Sequence, residues 1–126
     1  KVSSIAEISA SSSLSPDYDV KNLVDADENK TWKPAKDDVE PEIVFTFKEK
    51  DMFDRVLMME HIVNGQHVEA YELYLDTGDG KFNRVDKGGI VGYKRIHKIT
   101  PTEVQRVKIK ITSYRGELEL QEVTLY

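Results

Sequence analysis

Residues 24–38, VDADENKTWKPAKDD, hold four aspartates, a glutamate, an asparagine and the chain's single tryptophan. Oxygen-bearing side chains at this density could gather a hard cation, and a tryptophan with Lys33 and Pro34 beside it could stack on a sugar ring. From Asp25 the run D-A-D-E-N-K imitates the first half of an EF-hand loop. The imitation fails at Lys30, where the sharp turn needs glycine, and at Lys36, where a bidentate glutamate belongs. Calcium needs only about six to eight oxygens, however, which the carboxylates and carbonyls of an irregular loop can supply together. A solvated connection fits the same composition. Trp32 also has two readings, a platform for a ligand or a plug closing one end of a core. Asn29-Lys30-Thr31 is formally a glycosylation sequon, which matters only in a eukaryotic secretory pathway.

Catalytic groupings are missing elsewhere. His61, His67 and His97 lack the spacing of a metal motif, and each lies in or beside a predicted strand. The carboxylate pairs Asp17/Asp19, Asp37/Asp38 and Glu117/Glu119 sit in polar loops and strands, where solvation explains them. No nucleophile elbow surrounds Ser9, Ser11, Ser12 or Ser13. The GDGK and KGG pieces read as hairpin turns, since no helix follows to make a phosphate cradle. The chain therefore reads as non-catalytic. A net charge of −5 argues against nucleic-acid binding, and the lack of cysteine excludes disulfides, thiolate chemistry and cysteine-held zinc. No run approaches the ~18 apolar residues of a membrane span. Lys1 opens the chain without an initiator Met, as in a processed chain or an excised module.

The elements that must position these residues alternate with period two. In EIVFTFK, Ile43, Phe45 and Phe47 share a face. Tyr71, Leu73 and Leu75 share another in AYELYLD, and Val107, Ile109 and Ile111 a third in VKIKIT. RVLMME, residues 55–60, is apolar on both faces and reads as a central, covered strand. SSIAEIS reads as a first strand, with SASSS as its exit. The turn signals SPDYD, TGDGK, KGG, TPTE and YRGE separate these runs, and no stretch has a 3.6-residue period. At 126 residues the pattern predicts one all-β sandwich or barrel. In ELELQEVTLY, Leu118 and Leu120 have one parity while Val123 and Leu125 have the other. One extra residue must therefore be absorbed as a bulge near Gln121 and Glu122.

Several segments in order resemble a known family. ISASSSLSPDYDVKNLVDADENKTWKP resembles the opening of a discoidin, or coagulation-factor type C, domain. RVLMMEHIVNGQHVEAYELY, GGIVGYKRIHKI, RVKIKIT and LQEVTLY continue the likeness over nearly the whole chain. Within that superfamily the sequence is most similar to family 32 carbohydrate-binding modules. Among these it looks most like the module appended to bacterial α-L-fucosidases, through Glu60, Ile62, Gly65, Gln66, Val68 and the run Val91-Gly92-Tyr93-Lys94-Arg95.

The resemblance implies an eight-stranded antiparallel jelly-roll sandwich with ligand loops at one end, and a non-catalytic carbohydrate-binding role beside an exported glycoside hydrolase. That setting is periplasmic, cell-surface or extracellular. The implied partners are the attached catalytic domain and a glycan ending in fucose, galactose or an N-acetylhexosamine. Trp32 or Tyr93 would stack on the sugar, and Lys33, Glu60, His61, Gln66, Lys94 and Arg95 would bond its hydroxyls. Lys33 stands where galactose-binding members carry histidine. Many members also hold a structural calcium ion. Here Asp25 matches the ligand aspartate, Asn22 and Asp27 fall at carbonyl donors, and Glu122 matches the C-terminal glutamate. Lys30 occupies the threonine position, where only its carbonyl can ligate, and Ala26 replaces the usual glycine. The rival reading is a structural or protein-interaction module that packs on a neighbouring domain without binding sugar. Lipid binding has little support, since only Ile62 and Val63 offer apolar loop tips and the net charge opposes anionic membranes.

Overall fold

The computed structural model describes every residue except Ala26, Glu28 and Asn64. Six strands appear in chain order: β1 (Ile5–Ala10), β2 (Glu42–Glu60), β3 (Val68–Asp76), β4 (Asn83–Gly88), β5 (Arg95–Tyr114) and β6 (Leu120–Leu125). Two short 3₁₀ turns, Pro16–Tyr18 and Val20–Leu23, carry the chain from β1 toward Trp32. All strand pairs are antiparallel, in the order β1-β2-β5-β3-β4, with β6 on the remaining part of β2.

The period-two pattern decides which side chains enter the core. Ile43, Phe45 and Phe47 are inside, as are Tyr71, Leu73 and Leu75, and Val107, Ile109 and Ile111. They meet Val56, Met58, Val123 and Leu125 in one cluster. Val56, Leu57 and Met58 pair with β5 on one side and β6 on the other, so the 55–60 segment is central, as its composition predicts.

Two long strands serve both layers of the sandwich. Residues 43–47 of β2 pair with β1, whereas residues 56–60 pair with β6. In β5, residues 106–114 pair with β3 and residues 95–98 with the far half of β2. The ladder between β2 and β5 slips twice on the way. Residues 47–50 lie opposite Gln105, whose side-chain amide donates to the Phe47 carbonyl at 2.7 Å. Residues 99–101 lie opposite Asp54. Such irregularities let a strand bend out of one layer into the other. Two of the six continuous strands among the described residues thus contribute a segment to each layer. The second slip corrects TPTE as a turn. Pro101 falls within the second slip, where no ladder donor is required of it.

The C-terminal bulge is where parity placed it. Met59 pairs with Glu122 and Glu60 with Leu120, leaving Gln121 as the extra residue. Leu120 and Val123 thus both reach the core.

Candidate functional site

Because β2 and β5 each leave one end of the sandwich in one layer and return to it in the other, an end of every strand lies there. The loops around residues 11–18, 30–38, 61–67, 88–95 and 114–119 converge as a result. Backbone hydrogen bonds link them: Leu14 N to Lys33 O at 2.8 Å, His61 N to Glu119 O at 2.9 Å, Glu60 N to Gly92 O at 3.0 Å and Arg115 N to His67 O at 3.0 Å. The YRGE turn closes the last loop, with Gly116 at φ +66, a left-handed conformation that glycine accepts without strain.

Trp32 is the plug. Its ring is fully enclosed, its backbone exchanges two hydrogen bonds with Leu120, and its indole N–H donates to the Ser12 carbonyl at 3.1 Å. No face remains for a sugar, which corrects the platform assignment. Glu60 is corrected as well. Its carboxylate is 1% exposed and accepts from His67 N (2.7 Å), Val68 N (3.2 Å) and Gly92 N (2.8 Å). Those donors lie on two different loops, so Glu60 ties the loops together and does not meet ligand hydroxyls.

The residue after the plug is differently placed. Lys33 extends its ammonium to Glu117 Oε1 at 3.0 Å, with Glu119 Oε1 at 3.9 Å and the Tyr18 ring centroid at 4.6 Å. Partial burial works against this ammonium, but the Glu117 hydrogen bond and the charges of Glu119 and Glu117 outweigh it and raise the Lys33 pKa above the usual lysine value. The same hydrogen bond, with the charge of Lys33 behind it, holds Glu117 below the ordinary carboxylate range. Lys33 and Glu117 line a cavity of about 290 Å³ together with Lys36 and the aliphatic side chains of Leu14, Pro34 and Leu118. Tyr114 closes one side and anchors its hydroxyl on the Asp38 carbonyl at 2.7 Å. A small opening lined by both an ion pair and aliphatic carbon suits a polar ring with one apolar face.

The remaining predicted sugar residues lie on the neighbouring loops around residues 61–67 and 88–95. Tyr93 is 62% exposed, Lys94 and Gln66 are exposed, and His61 is half-buried beside Glu119. Arg95 is partly committed: one guanidinium nitrogen donates to the Ile90 carbonyl at 3.0 Å, and the group lies 5.7 Å from the Tyr71 ring centroid. Sequence reasoning missed Glu117 and Tyr114. Glu117 reads as a solvated carboxylate in ELEL, and its partner Lys33 is 84 positions away. Only the YRGE turn hints that this loop folds back.

The predicted metal residues lie to one side. Asp25 and Glu122 border a cleft of about 90 Å³ that Lys1 also lines. Ala26 at the usual glycine position, and Asn64 within the 61–66 loop, lie outside the described residues.

Comparison with known proteins gives a consistent picture. The chain is 26% identical over 114 residues to α-L-fucosidase 1 of Arabidopsis thaliana, covering 89% of this chain and 22% of the enzyme. A GH29 fucosidase of Ruminococcus gnavus, solved with fucose, superposes with a TM-score of 0.86 at 23% identity, over 95% of this chain and 25% of that one. The CBM32-1 and CBM32-2 domains of Clostridium perfringens ZmpB superpose with a TM-score of 0.83 at 19% identity, over 98% and 34% of the respective chains. At these identities the two structures show a shared fold. The chain spans about a quarter of the fucosidases it matches. Residues 7–123 match the F5/8 type C domain, and the chain belongs to that family.

Proposed function

We propose that this domain is a non-catalytic carbohydrate-binding module, part of a larger exported glycoside hydrolase of the α-L-fucosidase kind, that holds its catalytic partner near terminal sugars. The observation that carries the reading is the cavity at the loop end, which the Lys33–Glu117 pair lines together with Leu14, Pro34 and Leu118. Lys33 would donate to ring hydroxyls, and Glu117, 63% exposed, would accept from them. Tyr93, exposed on the 88–95 loop, would extend the contact. The module's benefit would be effective concentration, since a tether keeps substrate near the active site between encounters. A shallow site of this size binds weakly, of order 0.1–1 mM, because little area is removed from water.

Glycan-array screening followed by NMR titration with fucose, galactose and their N-acetyl relatives tests the proposal. Shifts at Lys33, Tyr114 and Glu117 that saturate in the millimolar range are expected. A second reading is favoured by Ile62, Val63, Ile90 and Tyr93, all exposed at the loop tips, which would suit docking on a neighbouring domain. Absence of shifts with every sugar would favour that reading.

A further inference from the structure

The resemblance implies calcium at Asn22, Asp25, Asp27, Lys30 and Glu122, and the fit can be judged from what those side chains already do. Calcium takes about six to eight oxygens at roughly 2.3–2.6 Å. Asn22 turns its amide nitrogen inward, donating to the Asp17 carbonyl at 3.0 Å and the Thr31 carbonyl at 2.7 Å. Two carbonyl acceptors fix that end of the amide as nitrogen, and the Thr31 carbonyl is thereby already engaged. The Asp27 carbonyl, the donor that the resemblance implies, already accepts from Lys30 N at 3.1 Å, and its Oδ1 accepts from Asn29 N at 2.9 Å. Thr31, adjacent to the position where the family carries threonine, is 5% exposed and donates its hydroxyl to Glu119 at 2.6 Å, toward the loop end. Glu122 accepts from the Thr124 hydroxyl at 2.7 Å. Among the described residues, no three carboxylate or histidine side chains converge. Among the described residues, which leave out Ala26 and Glu28 of this loop, the groups present do not assemble a calcium site.

One cation is nevertheless there. Lys30 Nζ lies 3.5 Å from Asp25 Oδ2, joining the residue at the family's threonine position to the ligand aspartate. We propose that the Lys30 ammonium takes the place of calcium in this loop, so that the domain folds and keeps its stability independently of divalent metal. The substitution is chemically coherent. Lysine removes a hydroxyl ligand and brings a positive charge to the carboxylate that a metal would otherwise neutralise. The remaining work of bracing the loop passes to the Asn22 amide, which spans from Asp17 to Thr31.

Scanning calorimetry on the metal-stripped chain tests this, with calcium chloride, magnesium chloride or a chelator added. The wild type should melt within about 1 °C under all conditions, since a ligand that does not bind the native state cannot shift its melting temperature. Lys30→Thr removes the ammonium and restores the hydroxyl, and its melting temperature should rise by about 5 °C or more with millimolar calcium. Lys30→Met, which removes the charge and supplies no ligand, should melt slightly below the wild type and ignore calcium. A calcium-dependent rise in the wild type, or one-to-one calcium binding to it by titration calorimetry, would overturn the proposal. So would a Lys30→Met variant as stable as the parent.

Discussion

At the scale of single residues, Glu60 is the side chain on which the loop end turns. A fully buried carboxylate without a cation directly bonded to it is costly unless its oxygens are occupied, and here three backbone N–H groups occupy them. Glu60→Gln keeps the shape and one acceptor oxygen. The other oxygen becomes an NH₂ group, and if Oε1 is retained for His67 and Val68, that group faces the Gly92 N–H donor to donor. The expected loss is about 1–3 kcal/mol in urea unfolding, with amide exchange quickening at Gly92 and little change at the far end of the sandwich. Glu60 is recognisable in the sequence as part of the E-x-I-x-x-G-Q likeness, but not as a buried brace, because its donors come from residues 67, 68 and 92. Trp32 illustrates the same limit. A lone tryptophan between lysines and a proline permits both platform and plug, and its closure by Leu120 and Ser12 depends on segments distant in the chain.

At the scale of elements, parity is legible wherever it is local. The inward faces of the 43–47, 71–75 and 107–111 segments follow from alternation alone, and so does the bulge at Gln121. The continuity of β2 and β5 is not legible. A strand that slips register and changes layer carries the same charged and proline-bearing residues as a turn, and only its partner distinguishes them. The bulge also makes a sharp prediction. Deleting Gln121 restores a regular ladder and sends either Leu120 or the Val123–Leu125 pair to the outer face. At about 1.5–3 kcal/mol for each large apolar side chain, exposing the pair costs on the order of 3–6 kcal/mol. That approaches the whole stability of a typical domain, at about 5–15 kcal/mol. The deletion variant should lose its cooperative unfolding transition. Gln121→Ala, which keeps the extra residue, should unfold within about 0.5 kcal/mol of the parent.

At the scale of the whole molecule, carboxylates that join distant strands should decide how the domain responds to acid. Asp76 ends β3 and accepts from Gly78 N, Gly80 N and Arg106 Nε at 2.8, 3.1 and 2.8 Å, tying the β3–β4 turn to β5. Burial pushes its pKa up, but the Arg106 hydrogen bond and the two backbone donors outweigh that and leave it below the usual aspartate value. Asp86 on β4 reaches the buried His97 of β5 at 2.8 Å, and that hydrogen bond, with one from Lys87 N, lowers its pKa too. His97 in turn is hydrogen-bonded to the enclosed Tyr71 of β3. A depressed carboxylate binds its proton less readily in the folded chain than in the unfolded one. Its contribution is therefore complete above the unfolded pKa of about 3.9 and is lost as pH falls through the lower folded value. Unfolding free energy from urea titrations should accordingly stay level with respect to these two groups between pH 5 and pH 7. It should then fall below about pH 4, each group adding at most about 1.4 kcal/mol per pH unit to the slope. Asp76→Asn should flatten that slope more than Asp86→Asn, because the Asp76 side chain is 3% exposed and that of Asp86 45%, where water and salt screen the interaction. Equal slopes in the two variants and the parent would instead mean that other carboxylates govern acid unfolding and that the β3–β4–β5 connection rests on its backbone ladder alone.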